Sequence, residues 1–236
     1  MPHPRSSAAV FFAAVTLMLP ATSSAEPESE PAPAEAALAG PAPAEPEASR
    51  APADDGAARV VERLHESLVG VMRDATALGY EGRYQRLAPV VYSLFDLQFM
   101  AEKSVGRHWK TASEQNQKAL VETFSRFTVA NFAGRFDGFS GQSFRTLGLE
   151  PSTHGTVLVR TRLDEPGDEG VALDYRLRPV DGGWRIVDIY LNGTVSELAL
   201  RRSEYSTLIQ REGFQALLVK LDERIHDLAG PKATQS

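Results

Sequence analysis

The stretch IVDIYLNGTVSELALRRSEYSTLIQREGF, residues 186–214, contains two kinds of secondary structure and the break between them. It begins as an apolar strand, stops at Asn192-Gly193 and continues as a helix that ends before Gly213. Asn-Gly is favoured in tight turns because both residues tolerate positive φ. None of the polar side chains has an arrangement typical of catalysis, so the stretch provides ordered apolar surface with little chemistry.

Period-two alternation predicts four strands, at residues 142–149, 156–163, 171–179 and 184–192. The turns between them are polar and Gly-rich, and such short connections predict an antiparallel meander. In the third strand Leu173 and Tyr175 point to one face, whereas Asp174 and Arg176 point to the other. One face of the sheet is therefore expected to contact water.

Helical periodicity surrounds the meander on both sides. The predicted helices are 60–75, 81–95, 97–105, 113–136, 195–212 and 214–228. Asp96 and Ser113 are candidate caps, and Pro89 is expected to kink or break the second helix. The order of these predicted elements, helices followed by strands and then helices, predicts an α+β fold. In the predicted fold, a four-stranded curved antiparallel meander is packed on one face by several helices. Such a layered arrangement often leaves an apolar cavity between sheet and helices.

The N-terminal segment differs in composition from the rest of the chain. Residues 1–25 are typical of a signal peptide, with Arg5, an apolar core over 8–19 and a small-residue cleavage site at 23–25. We therefore expect a soluble exported protein. The chain has no Cys, which excludes disulfides and thiol chemistry.

Residues 26–56 are rich in Pro, Ala and Glu and predict a disordered linker. This linker holds eight acids and one base. The whole chain has 31 acids and 25 bases. Without the eight acids and one base of the linker, and without Arg5, residues 57–236 hold 23 acids and 23 bases. The domain predicted over 57–229, which excludes Lys232, is thus close to neutral, and this argues against a nucleic-acid partner. Residues 230–236 are expected to be a disordered tail.

Few residues suggest a reaction. The five His have no metal-ligand spacing, and no cofactor motif is present. An enzyme remains an alternative, with Asp188 as acid or base and Asp174 or His154 as further candidates. Two convergent ionisable groups inside the cavity favour an enzyme, whereas an apolar wall favours a carrier. A third alternative is an adaptor with a filled core and no cavity.

Several separated blocks of sequence together resemble one family. They are YQRL at 84–87, FDLQFMA at 95–101, GWRIVD at 183–188, RSEY at 202–205 and GFQAL at 213–217. In order and spacing they resemble MlaC, the Ttg2 or toluene-tolerance family of periplasmic lipid-binding proteins, over about 60–229. The segment from 187 to 205 is most similar to the hopanoid-associated HpnM branch.

The resemblance implies a soluble periplasmic carrier without a cofactor or an enzymatic step. Its ligand is expected to be a phospholipid or a hopanoid-type lipid. The implied partners are an inner-membrane transporter, with MCE domains or of the RND type, and an outer-membrane complex. The pocket is expected between sheet and helices, with acyl chains inside and the headgroup near the mouth.

Nine apolar side chains are predicted to line this lipid-binding pocket. They are Phe95, Phe99, Phe124, Phe127, Leu173, Tyr175, Leu177, Val187 and Ile189. The choice on the third strand follows from its alternation. The choice on the fourth is open, because both of its faces are apolar and a bulge exchanges them.

Overall fold

The computed structural model of the chain describes residues 54–230. The predicted signal peptide, residues 26–53 of the predicted linker and residues 231–236 lie outside this range. The last three residues of the predicted linker, 54–56, instead form the start of the first helix. No helix within residues 54–230 is long and apolar enough to cross a membrane.

The described range contains seven α-helices. They are α1 (Asp54–Arg73), α2 (Ala75–Leu94), α3 (Leu97–Val105), α4 (His108–Thr111), α5 (Glu114–Arg135), α6 (Glu197–Glu212) and α7 (Phe214–Ala229). Both predicted caps are confirmed. The Asp96 carboxylate accepts a hydrogen bond from Phe99 N at 3.0 Å, and the Ser113 hydroxyl accepts one from Asn116 N at 3.2 Å.

Pro89, which was predicted to kink or break the second helix, does not break α2. The helix continues through Pro89, and its non-helical residue is Gly79, with φ 57° and ψ −173°. Proline leaves the carbonyl four residues earlier without its N–H partner. That residue is Gln85, which is exposed, so water can satisfy the carbonyl.

The antiparallel sheet has five strands in the order β1-β2-β3-β4-β5, not the predicted four. They are β1 (Ser143–Pro151), β2 (Val157–Asp164), β3 (Val171–Val180), β4 (Gly183–Leu191) and β5 (Val195–Ser196). The additional strand contains two residues that the sequence pattern assigned to the following helix.

A tight turn creates this fifth strand. Asn192 and Gly193 both have positive φ, which reverses the chain and pairs Leu191 with Val195. The helix starts only after Ser196, whose hydroxyl accepts a hydrogen bond from Ala199 N at 2.9 Å. Strand pairing thus replaces the first turn of the predicted helix.

The helices cover one face of the sheet. α1 contacts β1, β2 and β4, while α3 and α6 contact β4, and α5 packs against α2, α3 and α7. Most of the core lies between these helices and the sheet. On the opposite face, Asp174 forms an ion pair with Arg160 at 2.8 Å.

A bulge in β4 determines which of its side chains face the helices. Tyr175 pairs with Ile189, but Leu177 pairs with Ile186, so Val187 is the extra residue. Directly opposed residues of an antiparallel pair share a face. Ile186 and Ile189 therefore both lie on the helix-covered face, and Val187 at the bulge is buried as well.

A buried His–Tyr pair joins α1 to β3. His65 Nε2 lies 3.1 Å from the Tyr175 hydroxyl, and the imidazole stacks on Phe144 at 4.0 Å between ring centroids. Burial lowers the pKa of His65 to about 3. The folded state thus keeps this imidazole neutral at a pH where the unfolded chain protonates it.

We predict that this pair makes the fold sensitive to acid. Below pH 6.5 the unfolded chain binds a proton at His65 and the folded chain does not, so stability falls as the pH falls towards 3. Between pH 6.5 and 5, the burial of neutral His65 should lower the free energy of unfolding by on the order of 2 kcal/mol. Urea unfolding of the wild type and His65→Gln at both pH values measures the difference. If the free energy of unfolding depended on pH equally in the two proteins, His65 would not be the source of the acid sensitivity.

Candidate functional site

A cavity lies between the sheet and helices α3, α5 and α6. Its volume is about 70 Å³. Nine of its lining residues are apolar or aromatic: Phe95, Met100, Phe124, Phe132, Phe136, Leu173, Tyr175, Ile189 and Leu198. The cavity is thus narrow and mainly apolar.

One face of α5 supplies much of the wall. Phe124, Thr128 and Phe132 follow one another at four-residue intervals, which places them in a row along the helix. The Thr128 hydroxyl donates to Phe124 O, and the Asn131 amide donates to Phe127 O, both at 2.8 Å. These donors are satisfied within the helix, so they add little polarity to the wall.

The lining includes five of the nine predicted pocket residues. These are Phe95, Phe124, Leu173, Tyr175 and Ile189. The other four, Phe99, Phe127, Leu177 and Val187, are not part of the cavity wall. Whether the five contact a ligand remains a prediction.

Local geometry explains why Phe99, Phe127 and Leu177 do not line the cavity. Phe99 lies in a neighbouring groove, where the Arg178 guanidinium is 4.6 Å from its ring centroid. Phe127 is buried beneath the Arg201 guanidinium, at 4.9 Å. Leu177 is fully buried beside Ile186, further along β3.

Val187 does not line the cavity because it is the bulged residue of β4. Simple alternation would place Val187 on the helix-covered face together with Ile189. Because of the bulge, Ile186 lies on that face instead. Sequence reasoning also omitted Phe132 and Phe136. Phe132 follows Phe124 by two four-residue steps along α5, a spacing that would have indicated it, whereas Phe136 lies at the C-terminal cap beyond the helix.

Three charged side chains form the polar end of the cavity: Arg135 from α5, and Glu197 and Arg201 from α6. Arg201 Nη2 lies 3.5 Å from Glu197 Oε2, and each of these side chains is 19% exposed. Arg201 Nη1 donates to the Tyr205 hydroxyl at 3.2 Å. The deep apolar lining is buried, so this charged end marks the mouth.

Burial perturbs all three charged groups. It raises the pKa of Glu197, although Arg201 and Arg135 counteract this shift. Burial also lowers the pKa of Arg135, and the positive charge of Arg201 adds to that effect. For Arg201, burial is outweighed by Tyr205 and Glu197, and its pKa is raised. The three groups therefore interact electrostatically at one place.

The residues considered for catalysis lie elsewhere. Asp188, Asp174 and His154 are not in the cavity wall. Asp188 accepts hydrogen bonds from Ser196 Oγ at 2.6 Å and Leu198 N at 3.1 Å. Asp174 is paired on the opposite face of the sheet, and His154 is exposed in the β1–β2 connection.

Arg135, Glu197 and Arg201 are convergent ionisable groups in the cavity, the feature expected of an enzyme, but they are poorly suited to acid–base catalysis. Two are guanidinium groups, which do not release a proton in proteins. Glu197 is the single lining carboxylate among the described residues, and no His or second acid accompanies it there. No group of three metal-binding side chains occurs within residues 54–230. The presence of the cavity argues against an adaptor with a filled core.

The sequence matches the family model described as MlaC protein over residues 62–223. This match covers more than half of the chain, so the chain belongs to the MlaC family. No curated protein sequence matches it.

A solved structure has a similar fold. It is the phospholipid-binding protein from Ralstonia solanacearum, determined in complex with a phospholipid. The two chains share 23% sequence identity with a TM-score of 0.64, and the match covers 76% of this chain and 99% of the other. At this identity the likeness establishes the common α+β fold.

We predict that Asp188 is structural. Replacing Asp188 with Ala leaves the N–H of Leu198 and the hydroxyl of Ser196 without their acceptor, which should cost about 2–4 kcal/mol in urea unfolding. Asp188→Asn retains an amide oxygen as acceptor and should cost clearly less. A hydrolytic activity that disappears in Asp188→Asn would show instead that the carboxylate takes part in a reaction.

Proposed function

We propose that this protein is a phospholipid carrier that holds acyl chain in the cavity between α3, α5, α6 and the sheet. The observation that carries the proposal is an apolar cavity with a charged mouth in a member of the MlaC family. The phospholipid complex of the Ralstonia protein, which shares the fold, gives further support. No reaction is part of the proposal.

The energetics of burial suit a carrier. Each methylene group removed from water contributes roughly 0.8 kcal/mol, so a sixteen-carbon chain gains on the order of 12 kcal/mol. Escape of the lipid into water is then rare. A bilayer offers a similar gain, so exchange between carrier and membrane is nearly balanced, and direction comes from partner proteins.

The cavity must widen to hold a whole acyl chain. Its volume of about 70 Å³ is well below the roughly 300–1,000 Å³ of pockets that enclose drug-sized ligands, so a sixteen-carbon chain needs more room. We infer that binding separates the wall formed by α5 and α6.

The family resemblance extends the proposal to the cellular context. Residues 1–25 direct export, and the carrier acts in the periplasm. It exchanges lipid between the outer membrane and an inner-membrane transporter, which has MCE domains or, if the chain belongs to the HpnM branch, is of the RND type. In that branch the ligand is a hopanoid-type lipid. A nucleic-acid partner is not proposed, because the charges of the domain nearly balance.

We predict that filling the cavity weakens lipid binding. Leu198 is half-buried in the wall near the mouth, and Leu198→Trp should occupy space that the acyl chain needs. Bound phospholipid per protein should fall at least about five-fold, a change of roughly 1 kcal/mol. Native mass spectrometry after loading from phospholipid vesicles measures this ratio.

Leu208→Trp provides the matched control. Leu208 is also half-buried on α6, but it does not line the cavity. It should bind phospholipid like the wild type. If Leu198→Trp stays folded by circular dichroism and retains its full complement of phospholipid, the cavity does not hold the acyl chain.

A further inference from the structure

The charged mouth of the cavity has the composition of an anion site. We propose that Arg135 and Arg201 bind the phosphate of the lipid headgroup, so that the protein selects phospholipids over uncharged lipids with the same acyl chains. This inference rests on the proposed function, because it assigns the headgroup of the lipid that the cavity holds.

The hydrogen-bonding capacity of Arg201 is largely unused. A guanidinium group has five N–H donors. Within residues 54–230, Arg201 makes one hydrogen bond, to the Tyr205 hydroxyl, and its nearest carboxylate contact is Glu197 at 3.5 Å. Charge-assisted hydrogen bonds between such groups are normally about 2.7–2.9 Å long. Arg201 can therefore turn donors towards an incoming phosphate without losing a strong bond.

The position of Arg201 is fixed by its neighbours. Its guanidinium lies over the Phe127 ring at 4.9 Å, while Glu197 and Tyr205 flank it one helical turn away on either side. Leu198, on the same helix, belongs to the apolar wall. The charged group thus lies where the apolar wall meets the mouth. A phospholipid with its acyl chain in the cavity places its phosphate at this boundary.

Arg135 reaches the same place from the end of α5. The site therefore contains two positive charges and one negative charge when Glu197 is ionised. A phosphodiester with one negative charge neutralises this excess and reduces the repulsion between the two guanidinium groups. Because a planar guanidinium matches the geometry of phosphate oxygens, Arg is better suited than Lys to this role.

The experiment compares two lipids that differ in their headgroups. Phosphatidylglycerol and diacylglycerol with identical acyl chains are titrated into delipidated protein, and binding is measured by native mass spectrometry. Arg201→Gln and Arg135→Gln should each weaken phosphatidylglycerol binding about ten- to a hundred-fold and leave diacylglycerol binding unchanged. Arg201→Lys, which keeps the charge but loses the planar fork, should give an intermediate loss.

Arg211→Gln is the matched control. Arg211 is an exposed residue of α6 outside the cavity wall, so this variant removes the same charge from the same helix. It should bind both lipids like the wild type. Circular dichroism and urea unfolding verify that each variant is folded.

The outcomes separate this inference from the proposed function. If the wild type binds neither lipid, the carrier function itself is wrong. If it binds both lipids and the two Gln variants retain phosphatidylglycerol binding, or lose both lipids equally, the arginines do not recognise phosphate. Saturable binding of inorganic phosphate alone that Arg201→Gln abolishes would assign the site to a free anion rather than to a headgroup.

Discussion

One buried carboxylate joins the sheet to the helix that closes the cavity. Asp188 of β4 accepts hydrogen bonds from Ile189 N, Leu198 N and the hydroxyl of Ser196. Ile189 and Leu198 both belong to the cavity wall, and Arg201 follows Leu198 by less than one helical turn. The carboxylate therefore fixes the wall and the mouth together. Burial raises the pKa of Asp188, and its hydrogen bonds compensate part of that cost.

Much of the fold follows from local signals in the sequence. Asp96 and Ser113 are typical caps, Asn192-Gly193 is a typical turn, and alternation located the first four strands. These features depend on neighbouring residues alone, which is why the sequence indicates them. Long-range pairing is different. The two residues of β5 become a strand only because β4 lies beside them, and no local pattern records that contact.

The cavity was less predictable than the fold, for a physical reason. Both faces of β4 are apolar, so hydrophobicity alone does not specify which face meets the helices, and the bulge at Val187 changes the alternation. Phe127 has the character of a pocket residue, yet it lies beneath Arg201 outside the cavity wall. The charged mouth was missed because its members come from α5 and α6, which are far apart in sequence.

The central claim is that acyl chain occupies the space between α5, α6 and the sheet. Intermolecular nuclear Overhauser effects between phospholipid methylene protons and the methyl groups of the protein test it most directly. The account predicts such effects at Leu173, Ile189 and Leu198, and none at Val219, which is 57% exposed on α7. Effects at Val219 with none at the three wall residues would show that lipid binds on the outer surface, and would contradict the account.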